Sequence, residues 1–248
     1  MDTALHSPPR RLLMLAALGA IAPALAAEPP LVVLVDGSIE MPQAQIEGYA
    51  VVDGLQYHIA LELGLRLRRD MRFRLVPRRR VAPLLLAGEE ADLICNYHPA
   101  WLPGALQWSQ PFMESGDLLV SAARVPAPRT LADLAGQTLG TIAGFSYPEV
   151  EAVLGAGFPR DDAPNLPASL RKLTAGRVDH IIVGQATFDY LRHRGDVRVA
   201  IHPPLALKRR QTACALSPAS RLPLPALDAA LAAMKADGTV RRILDLYR

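Results

Sequence analysis

Aromatic residues are scarce in this chain: Phe, Trp and Tyr make up 5% of 248 residues. An excess of one charge is also missing. The formal net charge is +3, and removing residues 1–26 leaves 25 basic against 23 acidic side chains, so nothing suggests a nucleic-acid partner. After the N-terminal segment no run reaches 18 consecutive apolar residues, which excludes a further membrane span of the helical kind. Cysteine is limited to Cys95 and Cys214, which allows at most one disulfide. Both lie in apolar strand-like runs, where a free cysteine serves as a small hydrophobe; in an oxidising compartment the two could instead pair. One local exception to the even charge is Arg66–Arg80, with eight arginines. It reads as a solvated helix end followed by the outer face of a strand.

What is present begins at the N-terminus. Arg10 and Arg11 precede an apolar run from Leu12 to Leu25, and Ala24-Leu25-Ala26 offers small residues for cleavage. This is the three-part layout of a secretory signal peptide, so residues 1–26 are expected to be removed on export to the periplasm. The pair Arg10-Arg11 fits a twin-arginine signal less well than general secretion. No cysteine follows the cleavage site, so a lipid anchor is not indicated.

Along the rest of the chain, apolar runs alternate with helical patterns. Leu31–Val35 reads as a buried parallel strand, and Asp36–Asp53 as a long irregular loop of the kind that often carries function. Asp53 is placed to cap a helix from Gly54 to Leu65. Met71, Phe73 and Leu75 alternate with arginines, as on an edge strand. Pro83–Ala87 reads as a short helix and Asp92–Asn96 as the next buried strand. This order implies a parallel sheet with right-handed crossovers.

Leu106–Ala122 then interrupts a strand-like run with Pro111 and Ser115-Gly116-Asp117, and marks the passage from one α/β lobe into a second. In that second unit Thr130–Ala135 reads as a helix and Leu139–Ile142 as a strand. Ser146 and Glu149 fit a capping box ahead of a helix from Tyr147. Pro167–Ala175, Val178–Val183 and Thr187–Arg192 give helix, strand and helix, and Val197–Ile201 a last strand. Leu205–Arg210 leads into a returning strand, Gln211–Ser217, and two helices follow, Ala226–Ala236 and Val240–Tyr247.

Six landmarks in this order carry a family resemblance: DGLQYHIALELG, RVAPLLLAGEEADLI, WSQPFMESGDLLV, TLADLAGQTLGTIAGFSY, LTAGRVDHIIV and LAAMKADGTVRRIL. Over Leu31–Tyr247 the chain resembles the type 2 periplasmic solute-binding proteins of family 3, which serve polar amino acid ABC transporters. The resemblance implies two α/β lobes, each a mainly parallel sheet flanked by helices, joined by two hinge crossings. Residues 27–116 with 210–248 would form lobe 1, and residues 117–209 lobe 2. The crossings would be Pro111–Asp117 and Leu207–Gln211. The fold would also set the strand of Cys95 beside that of Cys214, where the two could face each other.

The chain departs from the family at its ligand clamp. The arginine that follows the third strand is absent from Pro99–Leu106, and the acidic residue after the lobe 2 strand is replaced by Gly184 and Gln185. The acidic positions opening the first helix hold Gln56 and His58, and no aromatic stands near Met41-Pro42-Gln43. A substitute set is expected instead. Arg78 would take an anionic group, unless Arg78, Arg79 and Arg80 are all solvated. Tyr97, His98 and Trp101 would form an aromatic wall beside Asn96. Gly144, Phe145 and Ser146 would offer backbone donors from lobe 2, with Gln185 nearby.

The functional expectation is a non-enzymatic, monomeric solute-binding protein. It would close on a small polar or anionic ligand and present it to an inner-membrane ABC permease or sensor. No cofactor, metal or catalytic residue is expected. The alternatives are a dehydratase-like enzyme on the same fold, for which His98 and Glu114 are the candidate acid–base groups, or an interaction protein without a ligand.

Overall fold

The structure is a computed structural model describing residues 28–247; the signal-peptide expectation for residues 1–26 lies outside them. Strand β1 (Leu31–Asp36) is the buried strand expected. The segment read as irregular folds back as a hairpin, β2 (Gln45–Glu47) and β3 (Ala50–Asp53). Helix α1 (Leu55–Leu67) follows, with Gly54 rather than Asp53 at its N-cap. Gly54 has φ 115°, and a Cβ there would lie 2.5 Å from the Ala44 Cα, so only glycine fits the turn. Asp53 accepts the Gly54 N–H at 2.7 Å instead of capping. The edge strand is β4 (Met71–Val76). A 3-10 turn, Arg78–Arg80, runs into α2 (Val81–Ala87), then β5 (Leu93–Tyr97), a second 3-10 turn at Pro99–Trp101 and the short β6 (Gln107–Trp108).

Strand β7 (Met113–Ser121) runs unbroken through Gly116, where an interruption was expected. Backbone partners on both sides hold it extended, and Pro111 falls outside the ladder. After a 3-10 turn at Leu131–Leu134 come β8 (Leu139–Ile142), α3 (Pro148–Leu154), β9 (Arg160–Ala163), α4 (Leu166–Thr174), β10 (His180–Gly184) and α5 (Gln185–His193). The expected capping box at Ser146 is absent: Tyr147 is the N-cap, without a side-chain bond. Val197–Ile201 forms no strand and contributes one bridge, Ile201 to Ala122. The lead-in Leu205–Arg210 and the returning strand expected at Gln211–Ser217 are one strand, β11 (Leu205–Leu216). Helices α6 (Leu224–Ala236) and α7 (Thr239–Asp245) close the chain.

The strands join in the order β4-β1-β5-β11-β7-β10-β8-β9, with β6 on β11. Strands β4, β1 and β5 are mutually parallel, as are β10, β8 and β9. Between these halves β7 and β11 pair antiparallel with each other, so the two crossings are hydrogen-bonded into one two-stranded bridge. Each half is covered on both faces. In the first, α1, α6 and α7 pack one face through Leu55, Ile59, Leu231 and Ile243, and α2 packs the other through Leu84 and Leu85. In the second, α4 and α5 bring Leu170, Leu173 and Phe188 to one face, and Tyr147 and Val150 cover the other.

Cys95 on β5 and Cys214 on β11 form a disulfide, so they are not the free hydrophobes of the simpler reading. Cys214 sits where the β5–β11 register shifts between Ala213 and Ala215, which turns it toward Cys95. The bridge joins residues 119 apart in sequence, enclosing the whole second half of the sheet in its loop. Cross-linking a loop that long limits the unfolded chain, and by loop entropy contributes about 5 kcal/mol. Replacing both cysteines with alanine is expected to lower unfolding stability by roughly 2–5 kcal/mol in a urea titration, with the native fold retained.

Candidate functional site

The carboxyl ends of β1, β5, β8 and β10 face one another across the joint between the halves. A cavity of about 140 Å³ lies there. Ligands bind in this position in open α/β sheets because loops leave the strand ends on both sides. From the first half come Glu40, Gln43, Gln56, Arg78, Asn96, Tyr97 and Trp101. From the second come Asp117, Ile142, Phe145, Ser146, Tyr147, Gly184 and Thr187.

Arg78 is the central charged group. It follows β4 through the 3-10 turn and is only 8% exposed, whereas Arg79 and Arg80 are solvated. Its Nη2 donates to the Trp101 carbonyl at 2.9 Å, and its Nε lies 3.9 Å from Oδ2 of Asp36. Asp36 is itself buried at the end of β1. Its Oδ1 accepts from the Ser38 N–H and hydroxyl, and its Oδ2 from the Tyr97 hydroxyl at 3.3 Å. Burial, with Asp36 beside it, pushes the Tyr97 phenol upward, so it stays protonated. The Arg78 guanidinium lies 4.7 Å from the Tyr97 ring centroid and 5.2 Å from that of Phe145. The arginine therefore stacks on an aromatic from each half. Among the described residues, its Nη1 is buried with no hydrogen-bond partner.

Gly144 makes this approach possible. Its φ is 81°, and a Cβ there would lie 3.1 Å from Cγ of Arg78 and 3.2 Å from Cγ of Arg79. Arg160 fixes the same loop from behind. Its guanidinium lies 5.0 Å from the Tyr147 ring centroid and donates to the carbonyls of Ile142 and Phe145. A second contact between halves is the ion pair of Arg210 on β11 with Glu149 on α3, both largely buried.

The other residues expected at the site divide. Asn96, Tyr97, Trp101, Phe145 and Ser146 line the cavity, and Gly144 borders it. Asn96 has φ 61°, and its amide bridges Gln43 and Thr212 at 2.8 Å each, so it orders the wall with both ends engaged. His98 is not part of the cavity lining. Its Nδ1 turns back to accept the Ala100 N–H at 3.1 Å, because Pro99 opens a turn that needs a cap. Gln185 opens α5 and lines a separate groove beside the crossing strands. Glu114 faces that groove too, exposed and 3.3 Å from Arg209.

Glu40 and Asp117 were not singled out in the sequence. Glu40 lies in the loop after β1, and burial raises its carboxyl to about 7 against the pull of Arg171. Asp117, in β7, is also raised to about 7, first by burial and then by Glu149, with Arg210 opposing. The only sequence signal for Asp117 was its place in the crossing. Among the described residues no cluster of His, Cys, Asp and Glu is placed to hold a metal ion.

No family model matches the sequence, and no curated protein matches it. Solved structures do match, over almost the whole chain. An ancestral arginine-binding protein bound to arginine superposes with TM-score 0.72 at 19% identity, covering 90% of this chain and 99% of its own. A histidine kinase sensor domain with similarity to periplasmic binding proteins gives 0.74 at 17%, covering 88% and 95%. The substrate-binding protein of an amino acid ABC transporter gives 0.65 at 17%, covering 88% and 98%. The chain has the two-lobe fold of the type 2 periplasmic binding proteins. In that fold the cavity lies between the lobes, and β7 and β11 are the strands that cross between them.

The cleft has a pH signature. Glu40 and Asp117 hold more protons folded than unfolded between about pH 4, where free carboxyls titrate, and their folded values near 7. Stability therefore falls as pH rises through that window. The melting temperature of the ligand-free protein is expected to drop by a few degrees from about pH 5 to about pH 8, and Asp117→Asn to flatten the drop.

Proposed function

We propose that this protein is an exported solute-binding protein that closes its two lobes on a small polar ligand and offers the closed form to an inner-membrane permease or sensor. The observation that carries this reading is the unpartnered Nη1 of a buried arginine at the cleft between the lobes. A buried guanidinium N–H without an acceptor is costly, and a ligand oxygen would relieve it. The aromatic faces of Tyr97, Trp101 and Phe145 suit the ligand's apolar body. The buried disulfide supports an oxidising compartment such as the periplasm. The fold supports hinge closure, since only two strands join the lobes.

A catalytic reading has one observation in its favour: Asp117 is poised near neutrality at the cleft, as a general acid must be. Turnover of a bound compound that disappears in Asp117→Asn would favour it.

The test of the binding reading is a thermal-shift screen of the purified protein against amino acids, amines and small carboxylates, since a ligand of the native state raises its melting temperature. For the best compound, Arg78→Ala is expected to weaken binding by about 10- to 100-fold, the worth of one charge-assisted hydrogen bond. Unchanged affinity would remove Arg78 from the site.

A further inference from the structure

His98 does not line the cavity, yet its ring decides how one wall of the cavity is held. It precedes the 3-10 turn Pro99–Trp101. Proline has no N–H, so the first donor of that turn belongs to Ala100, and it donates to Nδ1 of His98 at 3.1 Å. The Trp101 N–H closes the turn on the His98 carbonyl at 2.9 Å. Trp101 lines the cavity, and its own carbonyl accepts Nη2 of Arg78 at 2.9 Å. One ring nitrogen thus heads a chain of contacts that ends on the buried arginine.

We propose that His98 is an acid-sensitive cap: its neutral ring orders the Pro99–Trp101 turn and with it the tether on Arg78, and its protonated ring releases both. An Nδ1 that accepts a hydrogen bond is unprotonated, so the neutral ring carries its hydrogen on Nε2. A protonated imidazole donates from both nitrogens, and Nδ1–H would then meet the Ala100 N–H, donor against donor. The charged groups acting on the ring are Arg210 and Lys208 on β11 and Glu149 on α3, and the Trp101 ring lies 5.8 Å away. Burial, and after it Arg210, hold His98 below the ordinary imidazole value; Glu149 opposes them and Lys208 adds to the fall. With the folded value lowered, the cap is intact above the ordinary value of about 6.5 and is lost as pH falls through the folded one. The inference deepens the binding-protein reading, on which its consequence for a ligand rests: one wall of the cleft is ordered at neutral pH and loosened in acid.

Nuclear magnetic resonance of the purified protein, with no solute added, tests this. Glu40 and Asp117 titrate near 7 with the opposite effect on stability, so a melting curve would mix the effects and a local signal is needed. Protection of the Ala100 amide from exchange is followed as pH falls through the titration of the His98 ring, itself read from its carbon-bound protons. Protection is expected to drop about threefold to thirtyfold, the worth of an N-cap. His98→Asn keeps a side-chain acceptor and takes no proton, so its protection should stay level. His98→Ala has neither acceptor nor charge and should show the low protection at every pH. The Arg78 guanidinium N–H signals, assigned by their loss in Arg78→Lys, should follow the same pattern in the three proteins. Level protection in the wild type, or an equal fall in His98→Asn, overturns the inference. So do Arg78 signals in His98→Ala that match those of the neutral wild type, or a His98 ring that stays neutral down to about pH 4, where carboxyls titrate. None of these results bears on the binding reading, whose own test is the ligand screen.

Discussion

A buried guanidinium sets the relation between the two lobes. Arg78 stacks on Tyr97 from its own lobe and on Phe145 from the other, while its Nη2 is tied to the Trp101 carbonyl. Burying such a charge is unfavourable unless it is paired, and Asp36 at 3.9 Å pairs it only loosely. Among the described residues its Nη1 has no partner. Closure thus carries a polar debt within the contact that defines it, which a ligand oxygen would cancel. Gly144 belongs to the same arrangement, since a side chain there would meet the arginine stem before Phe145 could reach the guanidinium.

The crossing strands tie this contact to the core. Strands β7 and β11 pair through Thr212–Met113 and Gln211–Glu114, and the ladder becomes irregular only between Ala206 and Arg209. On the lobe 1 side, the disulfide anchors β11 to β5 one residue before Asn96, whose side chain ties Gln43 to Thr212. That end of the bridge is rigid by covalent and hydrogen-bonded means. Freedom for a hinge is therefore concentrated toward the irregular register, where Arg209 and Arg210 meet Gly116 and Ser115.

The sequence made the fold legible through periodicity: fully apolar strands such as Leu31–Val35, and glycines closing helices such as Gly88 and Gly238. It failed where pairing overrode composition. Strand β9 reads RDDA, too polar to announce itself, and is held at the edge by β8. Strand β7 contains Gly116, which suggested a break, yet partners on both sides keep it extended. Val197–Ile201 has the composition of a strand but finds one bridge only. At the cleft, Arg78 and the aromatic residues were legible from chain order. The direction taken by the His98 ring was not, because a local cap after Pro99 decides it.

The acids show why a site can be invisible to motif reading. The end of β10, where an acidic residue was looked for, holds Gly184, with Gln185 next. Sheet register sets Gly184 directly opposite Asp117 on β7. Opposite residues of an antiparallel pair have Cα atoms about 5 Å apart, so a carboxylate can change strands and still serve the same space. A linear comparison does not show this closeness, because most of lobe 2 separates the two positions in sequence. The placement also has a physical consequence. On β7 the carboxylate lies on a crossing strand, beside the Glu149–Arg210 pair that spans the lobes. Burial and the nearby Glu149 both favour the proton on Asp117, and Arg210 opposes them.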